Sequence, residues 1–222
     1  MGLNKSTGNM FDWVTHTWNT VKGQCPHGCR YCYMKRWGKQ KPARLDETEF
    51  KTNLGEGSTI FVGSSCDLFA EGIPFEWISK TLKHCAKFDN TYLLQSKNPE
   101  RIDQFMYSLP KSVIVGTTIE TNLPNKYMGA TPSPASRCFS MSNLSAHGFN
   151  TVVTIEPIMR FNLNPMVELV RKCSPKWVNI GANTDNKTKL PEPSQYDIVS
   201  LINELTKFTE VKIKSNLGRL MK

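Results

Sequence analysis

Thr91-Tyr92-Leu93-Leu94-Gln95 and Val113-Ile114-Val115-Gly116-Thr117 are short β-rich runs, apolar almost without a break. Such runs suit strands covered on both faces of a parallel sheet, where no alternate position looks out at water. The same kind of run recurs on either side: Trp13-Val14-Thr15-His16-Thr17-Trp18, Thr59-Ile60-Phe61-Val62-Gly63, Thr151-Val152-Val153-Thr154-Ile155, Trp177-Val178-Asn179-Ile180-Gly181 and Val211-Lys212-Ile213-Lys214. From Thr59 onward their starts lie 22 to 38 residues apart, which leaves room for a helix between neighbours. Helical patterns fill those gaps. Asn98-Pro99, Ser133-Pro134 and Asn164-Pro165 each predict an N-cap followed by proline at N1. Ile78, Leu82 and Cys85 keep helical spacing within 75–88, and Ser194 opens a helix whose stripe is Ile198, Leu201, Ile202 and Leu205. His147-Gly148 marks a helix end with glycine at C′. Alternating strands and helices predict an α/β fold with parallel strands joined by right-handed crossovers. About six βα units predict a partial, open (β/α)6 TIM-like barrel, too few for a closed eight-fold one. No repeat or second domain interrupts the pattern, so residues 1–222 are expected to form a single domain. The clearest long loop runs from Asn183 to Pro193.

The 222 residues are 39% hydrophobic and 21% charged, ordinary values for a globular chain able to bury a real core. No run of about eighteen apolar residues occurs, so no membrane span is expected. The first residues lack the apolar stretch of a signal peptide, and their loose match to a myristoylation pattern has no polybasic neighbour. A cytoplasmic location follows as the expectation. The net charge of +9 favours anionic partners. Arg30, Lys35, Arg36, Lys39, Lys41 and Arg44 crowd one segment, interleaved with Tyr31, Tyr33 and Trp37. Two readings fit: cations for phosphates beside aromatics for base stacking, or a solvated basic helix with its aromatics packed inward.

Ligands of parallel α/β folds gather at the carboxyl ends of the strands. That rule selects Ser64, Ser65 and Asp67 after the Thr59 run, Gln95, Ser96 and Lys97 after the Thr91 run, and Thr117, Thr118, Glu120 and Asn122 after the Val113 run. It then selects Glu156, Asn179 and Asn183, and finally Lys214, Ser215 and Asn216. Each residue alone could be a cap or a turn former. Together they describe a polar face.

Before these strands stands Gly23-Gln24-Cys25-Pro26-His27-Gly28-Cys29-Arg30-Tyr31-Cys32. Its C-x3-C-x2-C spacing offers three thiolates from one loop. A 4Fe-4S cubane held by three cysteines keeps one iron open for a substrate or second cofactor. Pro26 and Gly28 suit a loop that wraps a cluster and turns its amides inward. A zinc site completed by His27 or a distant cysteine is an alternative, although no second ligand pair follows. A redox pair of Cys29 and Cys32 is another. Seven cysteines without an export signal argue against a disulfide framework, and Cys66, Cys85, Cys138 and Cys173 read as small core residues.

The loop resembles the signature C-x3-C-x-Φ-C of the radical S-adenosylmethionine superfamily, with Tyr31 as the aromatic. The resemblance implies that Cys25, Cys29 and Cys32 hold a 4Fe-4S cluster whose open iron chelates S-adenosylmethionine. Reductive cleavage then yields a 5′-deoxyadenosyl radical that takes hydrogen from the substrate. It further implies that the Gly-Gly-Glu-like element for the methionine amine is replaced by Gly63-Ser64-Ser65-Cys66-Asp67, with Ser65 and Asp67 suited to the amine. Thr118 and Glu120 fall where ribose is met, Glu156 faces adenosine or substrate, and Lys97 meets the cofactor carboxylate or a substrate phosphate. Phe61-Val62-Gly63-Ser64, Asp67-Leu68-Phe69, the stretch from Gln95 to Arg101, Val115-Gly116-Thr117-Thr118-Ile119-Glu120 and Ile155-Glu156-Pro157 resemble the phage-associated Gp37/Gp68-like (DUF5131-type) proteins. This likeness covers roughly Trp13 to Leu217. A more distant similarity is to the DNA-repair lyase that splits spore photoproduct.

These features predict a minimal radical enzyme acting on a base in phage-type DNA, in the host cytoplasm. Arg30, Lys35, Arg36, Asn183, Lys214 and Asn216 are its candidate substrate contacts, and an external flavodoxin- or ferredoxin-type reductant is expected. An enzyme on a small nucleotide or amino-acid precursor and a non-catalytic metal-bearing nucleic-acid-binding module are the other readings.

Overall fold

The computed structural model describes residues 2–184 and 188–222. Its strands are β1 (Asn4–Lys5), β2 (His16–Trp18), β3 (Val21–Lys22), β4 (Arg44–Leu45), β5 (Thr59–Val62), β6 (Thr91–Gln95), β7 (Val113–Thr118), β8 (Asn150–Ile155), β9 (Trp177–Ile180) and β10 (Glu210–Ile213). Its α-helices are α1 (Phe75–Cys85), α2 (Glu100–Asp103), α3 (Pro134–Ala146), α4 (Leu163–Lys172) and α5 (Gln195–Leu205). One sheet runs in the order β1-β2-β5-β6-β7-β8-β9-β10. All its pairs from β2 to β10 are parallel, and β1 joins the edge antiparallel. Parallel strands laid down in chain order, with helices between them, make an open barrel-like α/β sheet, as expected.

The strand faces explain the apolar runs. Ile60, Val62, Tyr92, Leu94, Val115, Val153, Ile155, Val178 and Ile180 join the large core shared with the helices. The alternate residues Phe61, Leu93 and Val152 point the other way and pack with Phe11 and Val14. With a side-chain period of two, both sets are buried because the N-terminal segment fills the concave face. Trp13 belongs to that filling, edge-on to Trp177, so the first expected strand shortens to His16–Trp18. Following the inward positions up each strand leads from Leu93 to Gln95, from Ile114 to Thr118 and from Val152 to Thr154. The floor is apolar and the mouth polar.

Helix starts agree in part with expectation. Ser133 caps α3 by accepting from the Ser136 amide, with Pro134 at N1, and Ser194 and Asp197 form a capping box on α5. α3 ends at Ala146 with Gly148 at φ 86. Two starts differ. Asn162 is the extended N-cap of α4, so Pro165 falls in the first turn, where the amide needs no helical partner. Asn98 does not cap α2; its own amide donates to the Ser96 hydroxyl, and the helix begins behind Pro99. The basic segment forms a 3-10 turn over Tyr33–Trp37 rather than an α-helix. Of the loop 183–193, residues 185–187 lie outside the described residues. Among the described residues no helix is long and apolar enough to cross a membrane.

Candidate active site

Residues 23–43 leave the fold as an excursion whose neck is the antiparallel pair β3–β4 and a bridge between Gln24 and Pro42. Gly23 sits in that neck at φ 110, where a Cβ would lie 2.5 Å from the Pro42 carbonyl oxygen. The cysteine loop is covered from the other side by the chain between β7 and α3. Arg30 donates its amide to the Tyr127 carbonyl at 2.8 Å, Ala130 to that of His27 at 2.7 Å, and the Cys29 thiol to that of Met128 at 3.3 Å. Gly129, at φ 67, makes this approach possible, since a Cβ there would overlap the His27 carbonyl oxygen.

Two carboxylates, one of them buried, pin the loop to the sheet. Glu120, wholly enclosed, accepts from the Tyr31 hydroxyl, from Lys97 Nζ at 2.6 Å and from Arg137 Nη1 at 2.8 Å. Burial opposes its ionisation, but Lys97 and Arg137 outweigh that and hold it at about 2. Arg137, fully buried on α3, also reaches the carbonyls of Thr118 and Pro132 and the Thr131 hydroxyl. Asp67 accepts from His27 Nε2 (2.8 Å), Ser96 Oγ (3.0 Å) and the amides of Lys97 (2.9 Å) and Phe69 (3.0 Å). Burial pushes Asp67 up; the His27 contact pulls it further down, below its ordinary value.

Cys25, Cys29 and Cys32 are free thiols lining one cavity of about 880 Å³. That is near the top of the ~300–1,000 Å³ common for ligand sites, enough for more than one small molecule. Cys66, expected only as core, is buried, and its thiol is the main influence that lowers the ionisation of Cys25 to about 7. Burial raises Cys29 and Cys32. Among the described residues no three His, Cys, Asp or Glu side chains converge as ligands of a single ion. The donor set fits a cluster, in which each thiolate takes a separate iron.

Ser64, Ser65, Lys97 and Thr118 line the same cavity, as do Tyr31 and Asp67. Lys97 spends hydrogen bonds on Glu120 and on the Tyr31 oxygen at 3.3 Å, so its third donor remains. Glu120 does not line the cavity; it stands behind Lys97 and Tyr31. On the far wall Glu156 accepts from Lys214 Nζ (2.7 Å), Asn216 Nδ2 (2.7 Å) and Asn9 Nδ2 (2.7 Å). Glu156, Lys214 and Asn183 line the cavity, whereas Asn216 lies behind Glu156 and Arg30 lies outside the lining. Gly181 admits this cluster, since a Cβ would come within 2.8 Å of the Glu156 carboxyl carbon. Above the apolar floor, Gln95 accepts from the Thr154 hydroxyl at 3.1 Å over Gly116, where a side chain would crowd it. Lys35 and Arg36 line the rim.

Several members were not legible beforehand. Asn9 and Phe11 reach the cavity from a segment without a motif, and Met128-Gly129 carries no spacing signal. Arg137 is one of many basic residues in the chain, and only its burial marks it.

Solved structures share the fold. One structure of spore photoproduct lyase with bound dinucleoside spore photoproduct aligns at TM-score 0.67 and 11% identity, covering 96% of this chain and 80% of that one. A second, also carrying AdoMet, aligns at 0.61 and 12%, covering 93% and 66%. SuiB of Streptococcus suis aligns at 0.51 and 12%, covering 89% of this chain and 47% of its own. The chain thus spans about two-thirds to four-fifths of the lyase chains. No curated protein matches it in sequence. Residues 9–181 match the proteins of unknown function grouped as DUF5131, and the chain belongs to that family.

Proposed function

We propose that this chain, a Gp37/Gp68-like protein, is a radical S-adenosylmethionine enzyme with one 4Fe-4S cluster, acting by hydrogen abstraction on a nucleic-acid base in phage-type DNA. The observation that carries the reading is that three free cysteines of one pinned loop line a single large cavity with a polar mouth. When bound, the cluster and S-adenosylmethionine supply a 5′-deoxyadenosyl radical. The chain's own groups hold and aim that pair. Cys25, Cys29 and Cys32 are the cluster ligands. Lys97 offers its remaining donor to a carboxylate, and Ser64, Ser65 and Thr118 offer hydroxyls to the amine and ribose. Asp67 and Glu120 act through others, as positioning residues: their oxygens are taken up by His27, Ser96, Tyr31, Lys97 and Arg137. Glu156 with Lys214, backed by Asn216, and Asn183 form the wall for the substrate. Spore photoproduct lyase, with the same fold, binds a dinucleoside, which supports a nucleotide substrate here. The reading takes residues 1–222 as one cytoplasmic domain reduced by a flavodoxin- or ferredoxin-type donor.

Anaerobic reconstitution tests it. The expected result is about four irons per chain, with brown absorbance lost on changing any of the three cysteines to Ala, and reductant-dependent release of 5′-deoxyadenosine and methionine. Stoichiometric zinc without iron would end the enzymatic reading.

A further inference from the structure

Residues 23–45 contain six basic side chains and no acidic one. None of the six, Arg30, Lys35, Arg36, Lys39, Lys41 and Arg44, lies within 4 Å of a carboxylate among the described residues. By contrast Lys22, Lys80, Lys97, Arg137, Lys214 and Arg219 are all paired. Unpaired cations set this close together repel one another, a cost relieved when an anion binds between them. The 3-10 turn within this strip carries Tyr33 and Trp37, and both are exposed, Trp37 by 60%. Tyr33 and Trp37 therefore do not pack inward as the aromatics of a merely solvated basic surface would, and of the strip's three aromatics only Tyr31 is buried. Their rings meet edge to face at 5.9 Å, and the Arg36 guanidinium lies over both, 5.7 Å from Tyr33 and 5.1 Å from Trp37. The Tyr33 hydroxyl donates to the Ser64 carbonyl at 2.8 Å, which fixes the turn to the end of β5. Lys35, Arg36, Trp37 and Lys39 all line the rim of the cavity whose wall holds the three cysteines.

We infer that this rim is a docking platform for single-stranded nucleic acid: one base stacks on Trp37, phosphates lie on Lys35, Arg36 and Lys39, and an adjacent base enters the cavity. The inference rests on the nucleic-acid reading of the site and adds the surface, the strandedness and the stacking residue. An exposed indole backed by a guanidinium presents a flat face that any base can cover, and base–aromatic stacking is tolerant of sequence. A base inside a duplex has neither face free and its edge is paired, so a duplex must open before the rim and cavity can both be filled.

Binding is measured on the full chain by anisotropy of a labelled 12-nucleotide DNA, against the same sequence as duplex, with no reductant present. The single strand is expected to bind at least tenfold more tightly. Three phosphate contacts give a log–log salt slope near −2, at ~0.7 per phosphate for single strands. Trp37→Ala is expected to weaken binding by roughly 5- to 150-fold, the worth of one stack, and Trp37→Phe to retain most of it. Tyr107→Ala, at a side chain 95% exposed on another surface, is the comparison and is expected to have no effect. Circular dichroism confirms that each variant is folded. Equal affinity for duplex and single strand, or equal effects at Trp37 and Tyr107, overturns the inference. Iron content is read on the same samples: its absence overturns the radical reading alone, because the binding measurement does not depend on the cluster.

Discussion

Gly129→Ala should detach the cover of the cysteine loop, and Gly148→Ala provides the control. Both glycines occupy positive φ, 67 and 86 degrees, so both substitutions carry the left-handed penalty of about 1–2 kcal/mol. A Cβ at Gly148 meets nothing within 4 Å. A Cβ at Gly129 overlaps the His27 carbonyl oxygen and lies 2.9 Å from the Gly28 carbonyl carbon and 3.0 Å from the Cys29 nitrogen, all backbone that cannot swing aside. Relief requires the two segments to part, which breaks the Arg30–Tyr127 and Ala130–His27 hydrogen bonds. At about 0.5–1.5 kcal/mol each, their loss brings the expected cost to roughly 2–5 kcal/mol, a large share of a typical 5–15. Because the left-handed penalty is common to both, urea denaturation of the metal-free proteins should show Gly129→Ala less stable than Gly148→Ala by about 1–3 kcal/mol. Iron uptake should be impaired in Gly129→Ala and normal in Gly148→Ala. Equal stability and equal iron content in the two would refute the claim that this contact orders the loop.

Glu120→Gln leaves Lys97 and Arg137 facing a neutral amide in a closed site and should cost about 3–5 kcal/mol. Its pH signature is specific: a carboxyl held at about 2 against an ordinary 4.5 contributes stability above the higher value, lost as pH falls from 4.5 towards 2. Urea midpoints measured from pH 6 to 2.5 should therefore fall less steeply in the variant than in the wild type. At Cys25, alkylation by iodoacetamide in the metal-free protein should show a midpoint near 7, and Cys66→Ala should move that midpoint upward, because the lowering comes first from the Cys66 thiol. An unchanged midpoint would mean that Cys66 is inert.

The sheet was legible because each apolar run had to be covered on both faces, and a period of two assigns Phe61, Leu93 and Val152 to one face and their neighbours to the other. What fills the concave face was not legible. Phe11, Trp13 and Val14 are apolar residues in a polar N-terminal stretch, and nothing local distinguishes a strand there from a plug. Proline beside asparagine located helix starts only to within two residues, since proline is tolerated anywhere in the first turn, as Pro165 shows. The cysteine spacing was legible as three ligands from one loop. Its anchoring was not: Tyr31–Glu120 and His27–Asp67 join residues 89 and 40 apart, and no one-dimensional pattern pairs them. Strand-end reasoning singled out Asp67 and Glu120 but could not tell a carboxylate that lines the cavity, as Asp67 does, from one enclosed behind it, as Glu120 is.

That distinction bears on what the cavity attracts. Were Glu120 free at the surface, it would repel an anion. Enclosed with Lys97 and Arg137, it leaves that group with a net charge of +1, and of the three only Lys97 reaches the cavity surface. Across the cavity Glu156 is neutralised by Lys214 at 2.7 Å. Among the described residues no carboxylate lining the cavity is thus left without a donor: Asp67 is closed by four bonds and Glu156 by three. The positive charge, by contrast, is left partly uncommitted, at the third donor of Lys97 inside and at Lys35, Arg36 and Lys39 on the rim. In a cleft with low-dielectric walls such an arrangement focuses a positive potential from the mouth inward. A ligand that is neutral at its reacting end and anionic along its backbone gains from that field without bringing a charge down to the cysteines. A single nucleic-acid strand has that distribution, whereas a free nucleotide carries its phosphate in with the base, so salt should weaken binding of the strand far more than that of the mononucleotide.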